Sequence, residues 1–143
     1  MATLKQKKAD PNSKYWRDRA DEIWRDDIRE VGECEICGIK GSPRQSDGKL
    51  VVDLEAHHVI KKGPPVWREK FRHDRTNGIC ICTKHHSKWQ KDIGPHGSED
   101  AQFEWWKWVK RERSGVFQWY EEHKDDKRKP ELTYRQSYEL LKG

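Results

Sequence analysis

The sequence predicts a small α+β domain in which helices flank a short core that is stabilised by a metal ion. The hydrophobic fraction is 32% and the charged fraction is 38%, so little apolar surface is available for burial. Segments with helical periodicity lie towards both ends of the chain, and the best strand candidate lies between them. Four cysteines and two histidine pairs fall in this central part. A bound metal ion is a common means of stabilising so small a core.

The first two segments are a predicted arm and a predicted helix. Residues 1–13 are basic and polar, and we expect a flexible arm. Residues 14–31 carry apolar side chains at steps of three and four, which predicts an amphipathic helix. Asn12 or Ser13 is the expected N-cap, and Gly32 is the expected end. The apolar stripe of this helix comprises Trp16, Ala20, Ile23, Trp24, Ile28 and Val31.

The central segment, residues 32–95, is the predicted core. It begins with the turn CEICG, and a loop rich in turn-forming residues follows. Residues 50–60, LVVDLEAHHVI, contain alternating side chains and frequent β-branched residues, which predicts a strand.

Residues 96–143 form a predicted C-terminal helical extension. One helix is expected from Ser98 or Glu99 to about Arg113, and a shorter one over VFQWYEEH. A final short helix should begin near TYRQ, because its threonine and glutamine occupy capping-box positions.

Two short motifs predict a structural zinc site. Cys34 and Cys37 form C-x-x-C, and Cys82 and His85 form C-x-x-H. A two-residue spacer lets one tight turn direct two ligands at one ion, so the two motifs together can complete a tetrahedral site. Cys80 is the alternative ligand, but its position in an extended apolar segment favours a buried packing role.

The two histidine pairs predict a second centre. If His85 binds zinc, its neighbour His86 must serve another site. His57 and His58 end the predicted strand, where consecutive side chains point to opposite faces, so one can hold a metal ion while the other lies beside it. Asn77 precedes the second pair, and its amide can brace the loop backbone.

The order of C-x-x-C, EAHHVI and NGICICTKHH resembles the HNH endonuclease family, whose motif lies on a ββα-metal fold. The resemblance covers roughly residues 32–92. As in that family's pattern, Asn77 is followed at +5 and +8 by the zinc ligands Cys82 and His85, and at +9 by His86. The chain departs from the family at His85, where cysteine is usual, but zinc accepts either residue.

The resemblance implies a metal-dependent DNA endonuclease with products that carry a 5′ phosphate and a 3′ hydroxyl. It assigns the general base to His58, the loop-bracing role to Asn77, and a catalytic Mg²⁺ or Mn²⁺ to His57 and His86. Many members have aspartate at the position of His57. Imidazole ligands also accept Co²⁺ or Ni²⁺. Glu55 is a candidate hydrogen-bond partner for a ligand histidine, or an exposed strand carboxylate.

A narrower resemblance concerns the substrate. YWRDRADEIWRDDIREVGECEICG is similar to the helix and C-x-x-C-G of the NinG/Rap phage recombination endonucleases, and REKFRHDRTNG is similar to their approach to the asparagine. That family implies branched DNA, such as Holliday junctions and D-loops. Its members have one histidine where this chain has His57 and His58, and cysteine at His85. Phage nicking, packaging-linked, homing and restriction nucleases remain alternatives.

Two other classes of function compete with the endonuclease. A non-catalytic zinc module that binds nucleic acid or protein needs the predicted zinc ligands but leaves His57, His58 and His86 without a role. A redox protein that uses Cys34 and Cys37 leaves every histidine without a role.

Basic residues predict where DNA would bind. The net charge is +5, a mild bias towards a polyanion. The predicted phosphate contacts flank the histidine pairs, although a solvated loop would have the same composition. They are Lys61, Lys62, Arg68, Lys70, Arg72, Arg75, Lys84 and Lys88.

The aromatic residues of the C-terminal extension divide into two predicted groups. Helical spacing assigns Phe103 and Trp106 to the core. Trp105 and Trp108 are then expected to be more exposed, where they would stack on unpaired bases or form a dimer contact. A homodimer would suit a symmetric four-way junction. Three further histidines are expected at the surface: His73, His96 and His123.

The sequence also predicts the compartment. It contains no apolar run long enough to span a bilayer, and its first residues lack the apolar segment of a signal peptide. We therefore expect no membrane association and a cytoplasmic protein, with a phage enzyme that acts in the host cell as one origin.

Overall fold

The computed structural model describes residues 2–41 and 53–143. Over these residues the chain is a small α/β protein with a two-stranded antiparallel sheet and several short helices. The elements in chain order are α1 Leu4–Ala9, α2 Lys14–Arg29, β1 Leu54–His58, 3-10 helices Val66–Phe71 and Arg75–Asn77, β2 Gly78–Cys82, α3 Thr83–His86, α4 Glu99–Glu112, α5 Ser114–His123 and α6 Tyr134–Lys142.

The sheet forms the centre of the larger hydrophobic cluster. β1 and β2 pair from Leu54 opposite Cys82 to His58 opposite Gly78. All five residues of β2 are buried, whereas in β1 only Leu54 and His57 are buried and the other three residues are half-buried. β2 is therefore enclosed on both faces, whereas β1 lies closer to the protein surface. The strand prediction over residues 50–52 lies outside the described residues.

Helix α2 packs across the sheet with its predicted apolar stripe. Ala20 and Trp24 are fully buried and form a second cluster with Leu141 of α6. The Trp24 indole N–H donates a hydrogen bond of 2.8 Å to the carbonyl of Asp74, which joins α2 to the segment before β2. The helix ends two residues earlier than predicted, so Val31 lies beyond it and is exposed.

The N-terminal arm contains more structure than the sequence analysis predicted. Residues 4–9 form helix α1, which begins with a capping box between Thr3 and Gln6. The Trp16 indole of α2 donates to the carbonyl of Lys8, so α1 is attached to α2. The capping box of Thr3 and Gln6 can be recognised in the sequence, but the basic and polar composition of residues 1–13 favoured a flexible arm instead.

The C-terminal helices follow the predicted boundaries. Ser98 caps α4 through the backbone N–H of Ala101, and Thr133 and Gln136 form the predicted capping box of α6. No helix of the described residues is long and apolar enough to cross a membrane.

The face assignment of α4 was wrong. Trp105 and Trp108 are buried against the sheet, whereas Phe103 is 65% exposed and Trp106 lies partly buried against Tyr120 of α5. Helix α4 carries apolar residues on more than one face, so spacing alone allowed two stripes. The sheet selected the stripe that also contains Ala101 and Val109. The predicted base stacking by Trp105 and Trp108 is therefore excluded.

Candidate metal centres and nucleic-acid interface

The four predicted zinc ligands come together in the structure. Cys34 and Cys37 lie in a turn after α2, Cys82 ends β2, and His85 lies in α3. Cys82 Sγ is 3.2 Å from His85 Nδ1, Cys34 Sγ is 3.8 Å from the same nitrogen, and the Sγ atoms of Cys37 and Cys82 are 4.0 Å apart. Ligand–metal bonds of about 2.0–2.3 Å in a tetrahedron give edges of about 3.3–3.8 Å. These four residues, here called the cysteine cluster, can therefore hold an ion such as zinc.

The turn that carries Cys34 and Cys37 is fixed to β2 by Glu35. The backbone N–H of Glu35 donates to the carbonyl of Cys80, and the Cys80 N–H donates to the Glu35 carboxylate at 2.7 Å. Arg113, at the end of α4, forms an ion pair with the same carboxylate. The turn is thus held in place by bonds that involve no metal ligand.

The protonation of the thiols is consistent with a metal site. Burial raises the pKa of Cys34, but backbone N–H groups of Cys37 and Cys82 outweigh this effect and hold its pKa below the ordinary value. Burial raises the pKa of Cys82 to about 11, so a metal ion is needed to keep it as a thiolate near neutral pH. Cys80 is fully buried beside the cluster, and burial raises its pKa to about 12. The packing role predicted for Cys80 is confirmed.

A second cluster forms around the other histidines. His57 of β1 and His86 of α3 approach with Nδ1 and Nε2 3.2 Å apart. The Nδ1–H of His86 donates to the carboxylate of Glu55, which leaves the lone pair of its Nε2 directed at His57. Burial lowers the pKa of His57 well below its ordinary value, and the neighbouring histidines lower it further. A lowered pKa favours the neutral imidazole, which is the form that binds a metal ion.

His96 completes this second group. It is exposed, as the sequence analysis expected, but its place beside the other two histidines was not predicted. Its ring lies 5.0 Å from that of His57 and 4.8 Å from that of His86, measured between centroids. One ring nitrogen of each of the three histidines lies within 4.8 Å of the others. Burial lowers the pKa of His96, and His86 and Lys61 add to this effect. We call His57, His86 and His96 the histidine cluster.

His58 lies beside the histidine cluster but belongs to a different environment. Its ring stacks on Trp24 with centroids 3.9 Å apart, and its Nε2–H donates to the carbonyl of Arg72 at 2.9 Å. That bond fixes the tautomer whose Nδ1 can accept a proton. Burial lowers the pKa of His58 to about 4, and the charge of Lys62 contributes, despite the opposing effect of the Arg72 carbonyl.

Asn77 braces the segments that carry the histidines. Its Oδ1 accepts a hydrogen bond of 2.6 Å from the N–H of Ile60, just after β1. Its Nδ2 donates to the carbonyls of Ile60 and Phe71, each at 3.0 Å. Asn77 is completely buried, so three backbone groups depend on it for hydrogen bonding.

The histidines line a cavity of about 330 Å³. Its other lining residues are Ala56 of β1, residues of α2 that include Trp24 and Arg25, and Lys61 and Lys62 of the segment after β1. A larger cleft of about 810 Å³ lies between the first 3-10 helix and residues 126–134. Neither metal-binding cluster lines the larger cleft, whereas all three residues of the histidine cluster line the smaller cavity.

The structure corrects several surface assignments near this cavity. Arg72 is buried and forms ion pairs with Asp21 at 2.8 Å and with Glu69 at 3.0 Å, so it is not a phosphate contact. His73 is buried as well, and it is bonded to Asp21 at 2.7 Å. Lys70 is paired with Asp126 at 3.1 Å. These groups hold α2, the first 3-10 helix and the C-terminal segment together.

The remaining basic residues differ in whether their side chains are bonded to other groups of the protein. Lys61 and Lys62 are exposed beside the histidines, and Lys84 and Lys88 are exposed on and after α3. Arg75 is bonded to Asp27 and to the Leu141 carbonyl, and Arg68 to the Pro64 carbonyl. His123, expected at the surface, is half-buried between Phe71 and Trp119.

The fold and these clusters define a small α/β protein that can hold metal ions at two adjacent sites. The chain matches no protein-family model, no curated protein and no solved structure with which it was compared. The functional argument therefore depends on the geometry of the two clusters.

Proposed function

We propose that this protein is a metal-dependent DNA endonuclease that hydrolyses phosphodiester bonds, with His58 as general base. The observation that carries the proposal is the adjacency of the two clusters. His85 belongs to the cysteine cluster and His86 to the histidine cluster, while neutral His58 lies on the same cavity as His57 and His86. A structural ion at the first cluster would hold the ligands of a second ion in position beside a base.

We infer that zinc occupies the cysteine cluster in a structural role. Three thiols and one imidazole favour zinc over harder cations. The bound ion would connect the turn after α2 to the end of β2 and to α3.

The chemistry proposed for the cavity divides among named residues. A divalent ion on the histidine cluster would supply positive charge to the scissile phosphate and to the leaving 3′ oxygen. Nδ1 of His58 would accept the proton of the attacking water, because Nε2–H is engaged by the Arg72 carbonyl. Trp24 fixes the plane of the His58 ring by stacking, and Asn77 fixes the segment after β1. Lys61 and Lys62 would contact phosphates that flank the scissile bond.

The order β1, β2, α3 supports the HNH resemblance in its arrangement, since an antiparallel pair leads directly into a helix that carries the last histidine. We propose that the chain has the ββα-metal fold in a reduced form, because α3 comprises only four residues. Branched DNA remains the finer proposal, on the basis of the NinG/Rap resemblance in α2 and the turn that follows it. The basic edge formed by Lys61 and Lys62 suits any DNA backbone.

Plasmid nicking tests the proposal. The zinc-loaded protein is assayed with Mg²⁺, Mn²⁺ and Co²⁺, and compared with His58→Ala and with His123→Ala as a matched histidine control. Loss of a general base is expected to reduce cleavage by about 10²–10⁴-fold. His123 lies away from the histidine cluster, on the larger cleft, so its variant should cleave at the wild-type rate. Equal cleavage by wild type and His58→Ala would reject His58 as the base.

A second experiment addresses the substrate. Matched linear duplex, flap, D-loop and four-way junction are cleaved in parallel. Preference for the junction would support the branched-DNA role, and equal rates would support a general nuclease. Absence of cleavage on all of them, with zinc bound and every divalent ion tried, would favour a non-catalytic zinc module.

A further inference from the structure

His96 occupies a position that no motif in the sequence predicted. It lies ten residues after His86, in the loop that leads to α4. Its ring is nevertheless in contact range of both His57 and His86, and the ligand nitrogens of the three lie within 4.8 Å of one another. The three side chains come from a strand, a one-turn helix and a loop, so only the tertiary structure brings them together.

The loop that carries His96 is anchored to the segment after α3. Gln90 is buried, and its side chain donates to the carbonyl of Lys84 and accepts from the N–H groups of the two residues that follow it. The carbonyl of Gln90 accepts from Ser98 N–H at 2.9 Å, which closes the loop. The Gly94 N–H donates to the carbonyl of Ala101 in α4. The loop that carries His96 is therefore attached to α3 through Gln90 and to α4 through Gly94.

Two glycines permit this close packing. A Cβ on Gly94 would lie 2.6 Å from the carbonyl oxygen of His85, and one on Gly97 would lie 2.3 Å from the carbonyl oxygen of Gln90. Both contacts are with backbone, which cannot move aside cheaply. Glycine on both sides of His96 thus brings the loop against the metal-binding segment.

From this geometry we infer that His96 is the third protein ligand of the ion at the histidine cluster, and that the site selects Co²⁺, Ni²⁺ or Zn²⁺ over Mg²⁺. The inference deepens the proposed function, because it concerns the same site. The 3.2 Å separation of His57 Nδ1 and His86 Nε2 agrees with the spacing of about 2.9–3.4 Å for two imidazoles on one ion with bonds of about 2.0–2.1 Å. Three imidazole ligands without a carboxylate are a donor set for borderline metals, whereas Mg²⁺ prefers oxygen.

A three-histidine site also leaves room for the reaction. Three protein ligands in a four- to six-coordinate shell leave at least one position for a phosphate oxygen or water. The cavity of about 330 Å³ provides that access. Glu55 holds the Nδ1–H of His86, so the Nε2 donor of His86 is oriented before an ion binds.

Cobalt titration of the zinc-loaded protein tests the inference without measuring activity. Co²⁺ binding at the histidine cluster is followed by its visible absorption, and the thiolate-to-cobalt charge-transfer band reports any exchange into the cysteine cluster. His96→Ala is expected to weaken Co²⁺ binding by at least about 10-fold, with the zinc content unchanged. His123→Ala is the matched control and should bind Co²⁺ as the wild type does. His96→Asp should retain binding and shift the preference towards Mn²⁺ and Mg²⁺, because it supplies an oxygen donor.

Each outcome bears on one proposal. Equal Co²⁺ affinity in wild type and His96→Ala would overturn the inference, even if cleavage fell, since His96 would then contact the substrate rather than the ion. Failure of the wild type to bind Co²⁺ beyond the cysteine cluster would overturn it as well. Weakened binding in His96→Ala, together with no cleavage of any DNA by the wild type, would support the ligand role and reject the endonuclease.

Discussion

The cysteine cluster and the histidine cluster are adjacent, but they are built in different ways. The cysteine cluster takes its ligands from two local pairs, each within one turn, and its four donors are enough to complete a tetrahedral shell around a metal ion. The histidine cluster takes His57, His86 and His96 from three separate elements and faces a cavity. A filled shell suits a structural ion, whereas an incomplete shell beside a cavity suits chemistry on a ligand.

The two clusters also differ in what supports them. The turn of the cysteine cluster is held by Glu35, which bonds the backbone of β2. The histidine cluster and its neighbour His58 depend on groups far apart in the chain: the Glu55 carboxylate, the backbone carbonyl of Arg72 and the Asn77 side chain. This difference implies that substitutions can be found that affect one cluster and spare the other.

The largest effect is expected from removal of the structural ion. Cys34→Ser should abolish stoichiometric zinc binding and lower the free energy of unfolding on the order of 5 kcal/mol, because binding at such a site is coupled to folding. Zinc content by native mass spectrometry and thermal unfolding measure both effects. Cys80→Ala is the matched control, since Cys80 lies beside the cluster but outside it, and it should keep one zinc ion per chain. Full zinc occupancy in Cys34→Ser would contradict the assignment.

The support of His58 is tested by Asp21→Asn, which removes one charge from the buried pair with Arg72. We expect a loss of about 3–5 kcal/mol in the free energy of unfolding at pH 7, since the Arg72 charge would remain buried without its main partner. Zinc content should be unchanged, because Asp21 contacts neither cluster of ligands directly. Urea denaturation with parallel metal analysis measures both quantities. Loss of zinc in this variant would remove the distinction between the two regions.

The same residue gives a pH dependence. Burial raises the pKa of Asp21, but hydrogen bonds from Arg72 and His73 outweigh it and hold the pKa well below its ordinary value of 3.8. A lowered folded-state pKa means that the contribution of Asp21 is complete above about pH 4 and is lost as the pH falls further. The difference in unfolding free energy between wild type and Asp21→Asn should therefore shrink below pH 4. A difference that stays constant between pH 6 and pH 3 would contradict this origin.

A smaller and more selective effect is expected from Glu55→Gln. The glutamine cannot hold the Nδ1–H of His86 with a negative charge, so Co²⁺ affinity at the histidine cluster should fall about 10-fold. Stability should change by less than about 0.5 kcal/mol, because Glu55 is only half-buried. Glu35→Gln is the counterpart at the cysteine cluster and should leave the Co²⁺ affinity of the histidine cluster unchanged. An equal loss of Co²⁺ affinity in both variants would show that the clusters are not independent.

The smallest effect concerns DNA binding. Lys61→Ala should lower the slope of log affinity against log salt by about 1, which is the loss of one phosphate contact. Lys70→Ala is the control, since Lys70 is paired with Asp126 and should leave the slope unchanged. Fluorescence anisotropy at several salt concentrations measures the slope. A larger change for Lys70 than for Lys61 would place DNA on a different face.

Local signals made a large part of the structure predictable. The capping box of α6, the start of α4 near Ser98 and the apolar stripe of α2 depend on neighbours within one or two turns, and they were predicted correctly except for Val31 at the end of the stripe. The cysteine cluster was predictable for the same reason, because each of its two halves is a motif with fixed spacing. The bracing role of Asn77 followed from its place before the second motif.

Assignments that depend on contact between distant segments were less accurate. Lys70 and Arg72 appeared as DNA contacts because basic residues cluster around them in sequence, but Asp126 and Asp21 neutralise them in the fold. The choice between the two aromatic stripes of α4 was made by the sheet, which buries Trp105 and Trp108. Composition indicates the charge and the apolar character of a segment, but it does not indicate which residues those side chains contact in the fold.

The sequence by itself determined the ligands whose spacing is local: Cys34 with Cys37, and Cys82 with His85. It also indicated that His86 must serve a different site from its neighbour, because adjacent side chains diverge. Only the tertiary structure decided that His96 joins His57 and His86. The physical reason is that local backbone geometry does not relate a loop residue to a strand residue that is ten or more positions away in the sequence. Only the packing of the loop at Gly94 and Gly97 brings the three rings together.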